Sequence, residues 1–340
     1  MAQKLGISTA TVSRALNPET AHKVKEARRK EILELADKMR YRPNPGPRMM
    51  QRGLLESIAV VIPGDEDVFF SEFYGGFMGG VIQATKFNTW EVRITTMKQG
   101  AEDFVTELRR IALGCSGLIY AGLPLTKEQI AELAGYHSPI VLLRSVLPPD
   151  FKVDDAPCHV LGVDNYNGAV DAVKYATQLG HKDIGFVLGP SESRDFAERE
   201  RGYRDAVSQA GLELSEEMFF KGSYDQDSGR AAFQYFRAKK LNPSVLVCSS
   251  DNSAFGALYA AKDAGLKCPE DLSIIGFDDG PWAVSSSPKL TTIKQPIGIL
   301  AERAVNVLIQ SILNQRAETP QYVELQTSLS KRDSTAYFAD

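Results

Sequence analysis

Residues 2–17 read AQKLGISTATVSRALN, and the spacing of their apolar side chains decides how the head of the chain folds. Ala2 to Leu5 are helix formers, Gly6 tolerates a positive φ, and Ser8 or Thr9 can cap a second helix running to about Leu16. That is helix, tight turn, helix. Ala2, four residues before Gly6, sits where the two helices touch, while Val12 and Ala15 form the buried stripe of the second. A third helix is expected from about Thr20 to Met39, with Val24, Ala27, Ile32, Leu35, Ala36 and Met39 at helical spacing. Thr9, Ala10, Ser13 and Arg14 are left facing outward. A helix-turn-helix reader sends the start of its second helix to the base edges of the major groove. Thr9 and Ala10, with Ser8 beside them, are therefore the expected base readers; Ser13 and Arg14 serve phosphates or bases, and Asn17 caps the next turn. Three amphipathic helices could equally be a plain bundle, so this pattern alone leaves both readings open.

Charge divides the chain at Gly53. The net charge is −4 overall, yet residues 1–53 hold 12 Lys and Arg against 5 Asp and Glu, a balance of +7 that leaves −11 for the remainder. A basic head on an acidic body implies that only the head meets a polyanion. The body alternates strand and helix. Apolar runs at ESIAVVIP, WEVRITT, GLIYAG, PIVLLR, HVLGVD, DIGFVLG, PSVLVCS and LSIIGFD read as buried parallel strands. Helical stretches near 71–86, 102–113, 127–134, 166–179, 197–210, 228–238, 253–264 and 298–314 separate them. The units recur on both sides of Val160, so the body is expected to form two similar doubly wound lobes, with ligand beyond the carboxyl ends of the strands.

The string AQKLGISTATVSRALN, followed by YRPN at residues 41–44, closely resembles the head of the lactose-repressor (LacI/GalR) family of bacterial regulators. The resemblance continues through IAVVIP, SGLI, VDNYNGA, LGHKDIGFVLGP, RERGYRDAV, SSDNSAFGAL, CPEDLSIIGFDD and LTTIKQP in family order. It implies an all-α helix-turn-helix head plus two α/β parallel-sheet lobes of periplasmic-binding-protein type. The implied domains are 1–42 for the head, 43–55 for the hinge, 56–160 with 292–322 for one lobe, and 161–291 with 323–340 for the other. It further implies a hinge helix that enters the minor groove with Met50 as apolar wedge and Arg48 beside it. Pro45, Gly46 and Pro47 are poor helix formers, so that helix is expected to be short or late. Relatives carry several residues before the match to Ala2, so a start upstream of Met1 is expected.

By the same resemblance, the effector sits between the lobes. Phe69, Phe70 and Tyr224 match positions that are often aromatic or apolar, although core packing explains them equally well. Arg199 matches an effector-gripping arginine, Asp278 an effector-binding aspartate, Gln295 a cleft glutamine and Asp251 an acidic position whose preceding Asn is Ser250 here. Arg144 stands where several relatives are acidic, and if it points inward with Arg194 and Arg199 the effector is a sugar acid or phosphate. The expected partners are operator DNA, a sugar or sugar acid, and a second copy of the chain.

Rival readings are weaker. A transport-type sugar-binding protein would share the body but lacks reason for the YRPN head, and no secretory signal pattern opens the chain. An enzyme is not expected: no nucleophile elbow, phosphate loop or G-x-G-x-x-G stands at a strand–helix junction, and the four histidines are scattered. Cys115, Cys158, Cys248 and Cys268 lie far apart, which predicts free thiols and no metal or other cofactor. No membrane span is expected, so the protein is placed in the cytoplasm with the nucleoid. A sensor whose DNA binding is weak or lost is the remaining alternative.

Overall fold

The computed structural model describes residues 1–16, 20–39, 55–64, 71–86, 89–97, 104–136, 138–314 and 319–338. Asn17, Arg48, Met50, Phe69 and Phe70 lie outside them. The chain divides into two compact units, Met1–Leu55 and Glu56–Asp340.

In the first unit, α1 (Ala2–Leu5) ends at Gly6, whose φ of 62° is the left-handed conformation that only glycine takes without strain. Helix α2 (Thr9–Leu16) follows, and the Ser8 hydroxyl accepts the Thr11 amide at 3.1 Å, so Ser8 is the cap. Val12 and Ala15 are buried against Ile32, with Ala2, Leu5, Ile7 and Val24 packed around them. The long third helix expected from Thr20 is divided. A single 3-10 turn, Ala21–Lys23, gives way to extended backbone at Val24 before α3 (Glu26–Lys38), so Ala27 and Met39 fall on the exposed side. The Thr20 hydroxyl donates to the Arg14 carbonyl at 3.1 Å and ties this turn to the end of α2.

The second unit holds two six-stranded sheets. The first contains β1 (Ser57–Pro63), β2 (Glu91–Met97), β3 (Gly117–Tyr120), β4 (Ile140–Leu143), β5 (His159–Val163) and β11 (Tyr322–Leu325), in the order β11-β5-β4-β3-β1-β2, all parallel. The second contains β6 (Ile184–Leu188), β7 (Phe219–Lys221), β8 (Val245–Cys248), β9 (Ser273–Asp278), β10 (Thr291–Lys294) and β12 (Ser328–Ser330), in the order β12-β10-β9-β8-β6-β7. Only β12 runs antiparallel to its neighbour. Every residue of β1, β3, β4, β5, β6 and β8 is buried, as strands covered on both faces must be. The covering helices are α4 (Glu72–Thr85), α5 (Phe104–Ala112), α6 (Lys127–Glu132) and α11 (Ile297–Asn314) for the first sheet. For the second they are α7 (Asn165–Gln178), α8 (Arg194–Gln209), α9 (Gln226–Ala238) and α10 (Asp251–Asp263).

The chain passes between sheets after β5, after β10 and after β11. These crossings fall a few residues later than the resemblance implied, because residues 291–294 pair with β9 and residues 322–325 with β5. By length and composition α11 is apolar enough to cross a membrane, yet Leu300, Ala301, Ala304, Val305 and Leu308 are buried against the first sheet and α4. Its apolarity is that of a core helix. All four cysteines are free; Cys115 and Cys248 are buried and the other two half-buried.

Helices α9 and α10 meet through glycine. A Cβ on Gly229 would lie 1.8 Å from the Ser253 carbonyl oxygen, and one on Gly256 would lie 1.9 Å from that of Gln226. Neither backbone can yield without parting the helices. Gly229→Ala should therefore destabilise the body by about 3 kcal/mol through overpacking, read as a lowered urea midpoint with unchanged m; an unchanged midpoint would show that the helices slide freely.

Candidate functional site

A cleft of about 440 Å³ opens where the carboxyl ends of the two sheets face each other. From the first sheet its lining comes from Pro63 at the end of β1, Glu72, Phe73 and Tyr74 in the first turn of α4, Gly122 to Pro124 after β3, and Ser145 after β4. From the second sheet come Asp195, Phe196 and Arg199 on α8, Tyr224 and Asp225 after β7, Ser250 and Asn252 around the start of α10, Asp278 at the end of β9, and Gln295 after β10. A pocket of this size, aromatic-walled with a few converging polar groups, suits a small hydroxylated or ring-bearing ligand.

Arg199 is the best-held group in the cleft. Its guanidinium donates through Nε to Asn165 Oδ1 at 2.7 Å and through Nη1 to the Ser249 carbonyl. The ring of Phe277 lies 3.8 Å from its Cζ and that of Phe196 4.8 Å away. Asn165, the first residue of α7, is held in turn by its own Nδ2 donating to the Val163 carbonyl at 3.1 Å. Phe196 also stacks on Tyr224, 6.3 Å between centroids and 16° between planes.

Asp278 sits on strained backbone. Its φ is 142° and that of Asp279 is 63°, so two consecutive non-glycine residues occupy the positive half of the map. Asp251 holds this turn from behind: its carboxylate accepts the Thr292 hydroxyl at 2.5 Å and the Gly280 amide at 3.0 Å, while its own amide donates to Asp278 at 3.3 Å. Gln295 Nε2 donates to Asp278 at 2.6 Å. Burial raises the Asp251 carboxyl well above the ordinary carboxylate range, with the Asp278 charge adding to it. Burial likewise raises Asp278, and Arg199 opposes the rise.

The expected effector residues therefore separate. Arg199, Tyr224, Asp278 and Gln295 line the cleft; Asp251 and Arg144 do not. Asp251 is wholly buried and positions the Asp278 turn instead of facing ligand. The Arg144 stem lies over Gly162, where a Cβ would come within 2.5 Å of it. Its guanidinium is taken up by Glu198, by Glu324 at 2.8 Å and by the Val163 carbonyl at 3.1 Å. Arg194 is engaged too, at 3.3 Å from Glu198 and donating to the carbonyls of Pro148 and Phe151 at 3.1 and 2.6 Å. The inward-pointing arginine trio that favoured a sugar acid is thus reduced to Arg199, and the other two clamp α8 to the loop after β4. Sequence reasoning missed Glu72, Phe73, Asp195 and Phe196. The spacing of Asp195, Phe196 and Arg199 at i, i+1 and i+4 from a strand's carboxyl end was the available signal.

Among the expected DNA-contacting residues, Ser8, Thr9, Ala10, Ser13 and Arg14 are all exposed, and the Ser8 hydroxyl is occupied as helix cap.

A helix-turn-helix unit and a two-lobed cleft domain in one chain define a ligand-responsive regulator. Residues 1–44 match the model of bacterial regulatory proteins of the lacI family, and residues 173–335 that of the periplasmic binding protein-like domain. Over 320 residues the chain is 32% identical to the HTH-type transcriptional repressor CytR of Escherichia coli strain K12, spanning 93% of this chain and 89% of that one. Over 341 residues it is 29% identical to catabolite control protein A of Priestia megaterium, spanning 98% of each. Among solved structures, the lac repressor dimer bound to operator and the anti-inducer ONPF aligns with a TM-score of 0.83 at 21% identity, spanning 98% of this chain and 97% of that one. A CelR–cellobiose complex aligns with a TM-score of 0.74 at 23% identity over 98% of each chain. The chain belongs to the lacI family of bacterial regulatory proteins. It is a DNA-binding transcriptional regulator with a ligand-binding domain, and not an enzyme.

Two outcomes test the geometry. Glu198 is buried between Arg144 and Arg194, so Glu198→Ala should cost about 3 kcal/mol of stability by urea unfolding, since it strands buried positive charge. Burial, with Asp278 and Asp279 adding, pushes Glu72 up to about 7, so the folded chain holds that proton more tightly than the unfolded one. Its penalty grows as pH climbs from 4.5 toward 7 and is full above 7. Glu72→Gln should melt higher than the parent at pH 8, and the gain should shrink as pH falls below 7 and vanish once it is below 4.5; a pH-independent difference would refute this assignment.

Proposed function

We propose that this protein is a transcriptional repressor, working as a homodimer in the cytoplasm on the nucleoid, whose operator affinity is set by a sugar-like effector in the cleft. The observation that carries this is the pairing of Arg199 and Asp278 within one aromatic-walled cleft at the carboxyl ends of both sheets. Hydroxyl groups accept from the guanidinium and donate to the carboxylate, and the rings of Phe196 and Tyr224 offer faces for a pyranose or a nucleobase. The similarity to a regulator solved with cellobiose supports the sugar class. In the head, Thr9 and Ala10 read base edges, with Ser8 capping the helix beside them, while Ser13 and Arg14 secure the backbone. Asn17, Arg48 and Met50 remain proposed contacts on the strength of the sequence match. A dimer accords with the exposed Ile82 of α4 and Ile299 of α11, helices that pack on each other.

Fluorescence polarisation against the protein's own promoter DNA and a scrambled duplex, across a salt series, is the decisive assay. The promoter should be preferred, with affinity falling linearly in the logarithm of salt. Arg14→Ala should weaken binding to both duplexes alike and reduce the salt slope by about 1. Equal, weak binding to both duplexes would favour a sensor that has lost its DNA.

A further inference from the structure

One end of the cleft carries more negative charge than its cations balance. Glu72, from the first sheet's side, presses against Gly280 of the opposite lobe: a Cβ at position 280 would lie 2.1 Å from its Cδ. Among the described residues neither carboxylate oxygen of Glu72 has a hydrogen-bond partner, and both are out of solvent. Among the described residues, the charged groups facing it are Asp278, Asp279 and Asp251. Asp279 is balanced by Arg332, with Lys294 at 4.0 Å. That leaves Glu72, Asp251 and Asp278 to share Arg199, two of whose five donors already serve Asn165 and Ser249.

Desolvated carboxyl groups set against each other across the lobes must either repel or hold a proton, so a ligand that closes the cleft gains most by bringing positive charge and donors to this point. A carboxylate or phosphate would add to the repulsion. A neutral hydroxyl donates one hydrogen bond and leaves the charge unchanged, whereas an ammonium donates three and neutralises it. No group of His, Cys, Asp and Glu among the described residues has the arrangement to hold a metal ion, which leaves an organic cation. Phe73 and Tyr74 line the cleft beside Glu72 and supply aromatic rings at the same end.

We infer that the effector is a hexosamine-like molecule: a hydroxylated ring gripped by Arg199 and Asp278, with a protonated amine at the Glu72 end. This rests on the cleft being the effector site. The test uses the full chain and isothermal titration at pH 7 with nine sugars: the 2-amino-2-deoxyhexose, the parent hexose and the hexuronic acid of the glucose, galactose and mannose series. In at least one series the amine should bind tenfold or more tighter than its parent hexose, and the hexuronic acid more weakly than either. Glu72→Gln should compress the amine-to-hexose ratio below threefold. A hexose or hexuronic acid that binds as tightly as its amine partner overturns the inference. If Arg199→Ala abolishes such binding, the effector-cleft reading survives without the amine. No binding by any of the nine also overturns the inference, and binding that Arg199→Ala leaves intact overturns the cleft reading itself.

Discussion

A parallel strand can be followed by another only after the chain has crossed back over the sheet, and in this body nearly every strand is parallel. The crossing helices cover both faces, so the strands are buried end to end and all their carboxyl ends emerge on one edge. The buried strands are mostly apolar, and the ligand-facing polar side chains are concentrated at that edge. With two sheets meeting edge to edge, the loops and first helical turns of both lobes converge on the cleft. Asp278 and Gln295 stand at, or one residue past, the end of a strand, and Glu72 and Arg199 in the first two turns of α4 and α8.

Around that cleft, charge is arranged in two different ways. At the start of α8, Arg144, Arg194, Glu198 and Glu324 interleave opposite signs, and each arginine also finds backbone carbonyls. The interleaving satisfies most of what burial would otherwise leave exposed to a low dielectric, so this cluster acts as a clamp between lobes. Around Asp278 the signs are mostly alike. Asp251 is supplied with a hydroxyl and an amide, which lowers its cost without removing the repulsion. Glu72 receives neither. The cleft is thus tied at one side and under electrostatic tension at the other, an arrangement in which a small ligand can change the angle between lobes.

Much of this was legible in the sequence because it is local. Gly6 as a turn, Val12 and Ala15 as a stripe, and eight apolar runs as strands depend on neighbours in the chain, and the structure has each of them. The strands β7, β10, β11 and β12 escaped notice because they are three or four residues long and carry polar or exposed residues, unlike the equally short but wholly buried β3, β4 and β8. The site was harder. Arg144 was assigned to the ligand because its partners, Glu198 and Glu324, lie far along the chain, and nothing local declares that they meet. Asp251 was misassigned for a related reason. An acidic residue opening a helix beside a cleft reads the same whether it faces ligand or, as here, reaches backward to Thr292 and Gly280. The third helix of the head was read too long because helical spacing of apolar residues persists through Val24, where the backbone is extended.

Energy differences of modest size are enough for such a device. Coupling between a ligand and a distant site is typically worth about 1–3 kcal/mol, and it must act equally in both directions. A single charge-assisted hydrogen bond contributes about the same amount. A group that meets Glu72 only when the lobes are closed therefore supplies, by itself, a differential affinity of the order a regulator needs. Contacts to Arg199 can hold a ligand without switching anything, since that side chain is fixed within one lobe and at the crossing by Asn165, Ser249, Phe196 and Phe277. On the proposed reading, affinity and signal fall to different residues: the preorganised arginine binds, and the carboxyl groups set against each other across the lobes decide which conformation is bound.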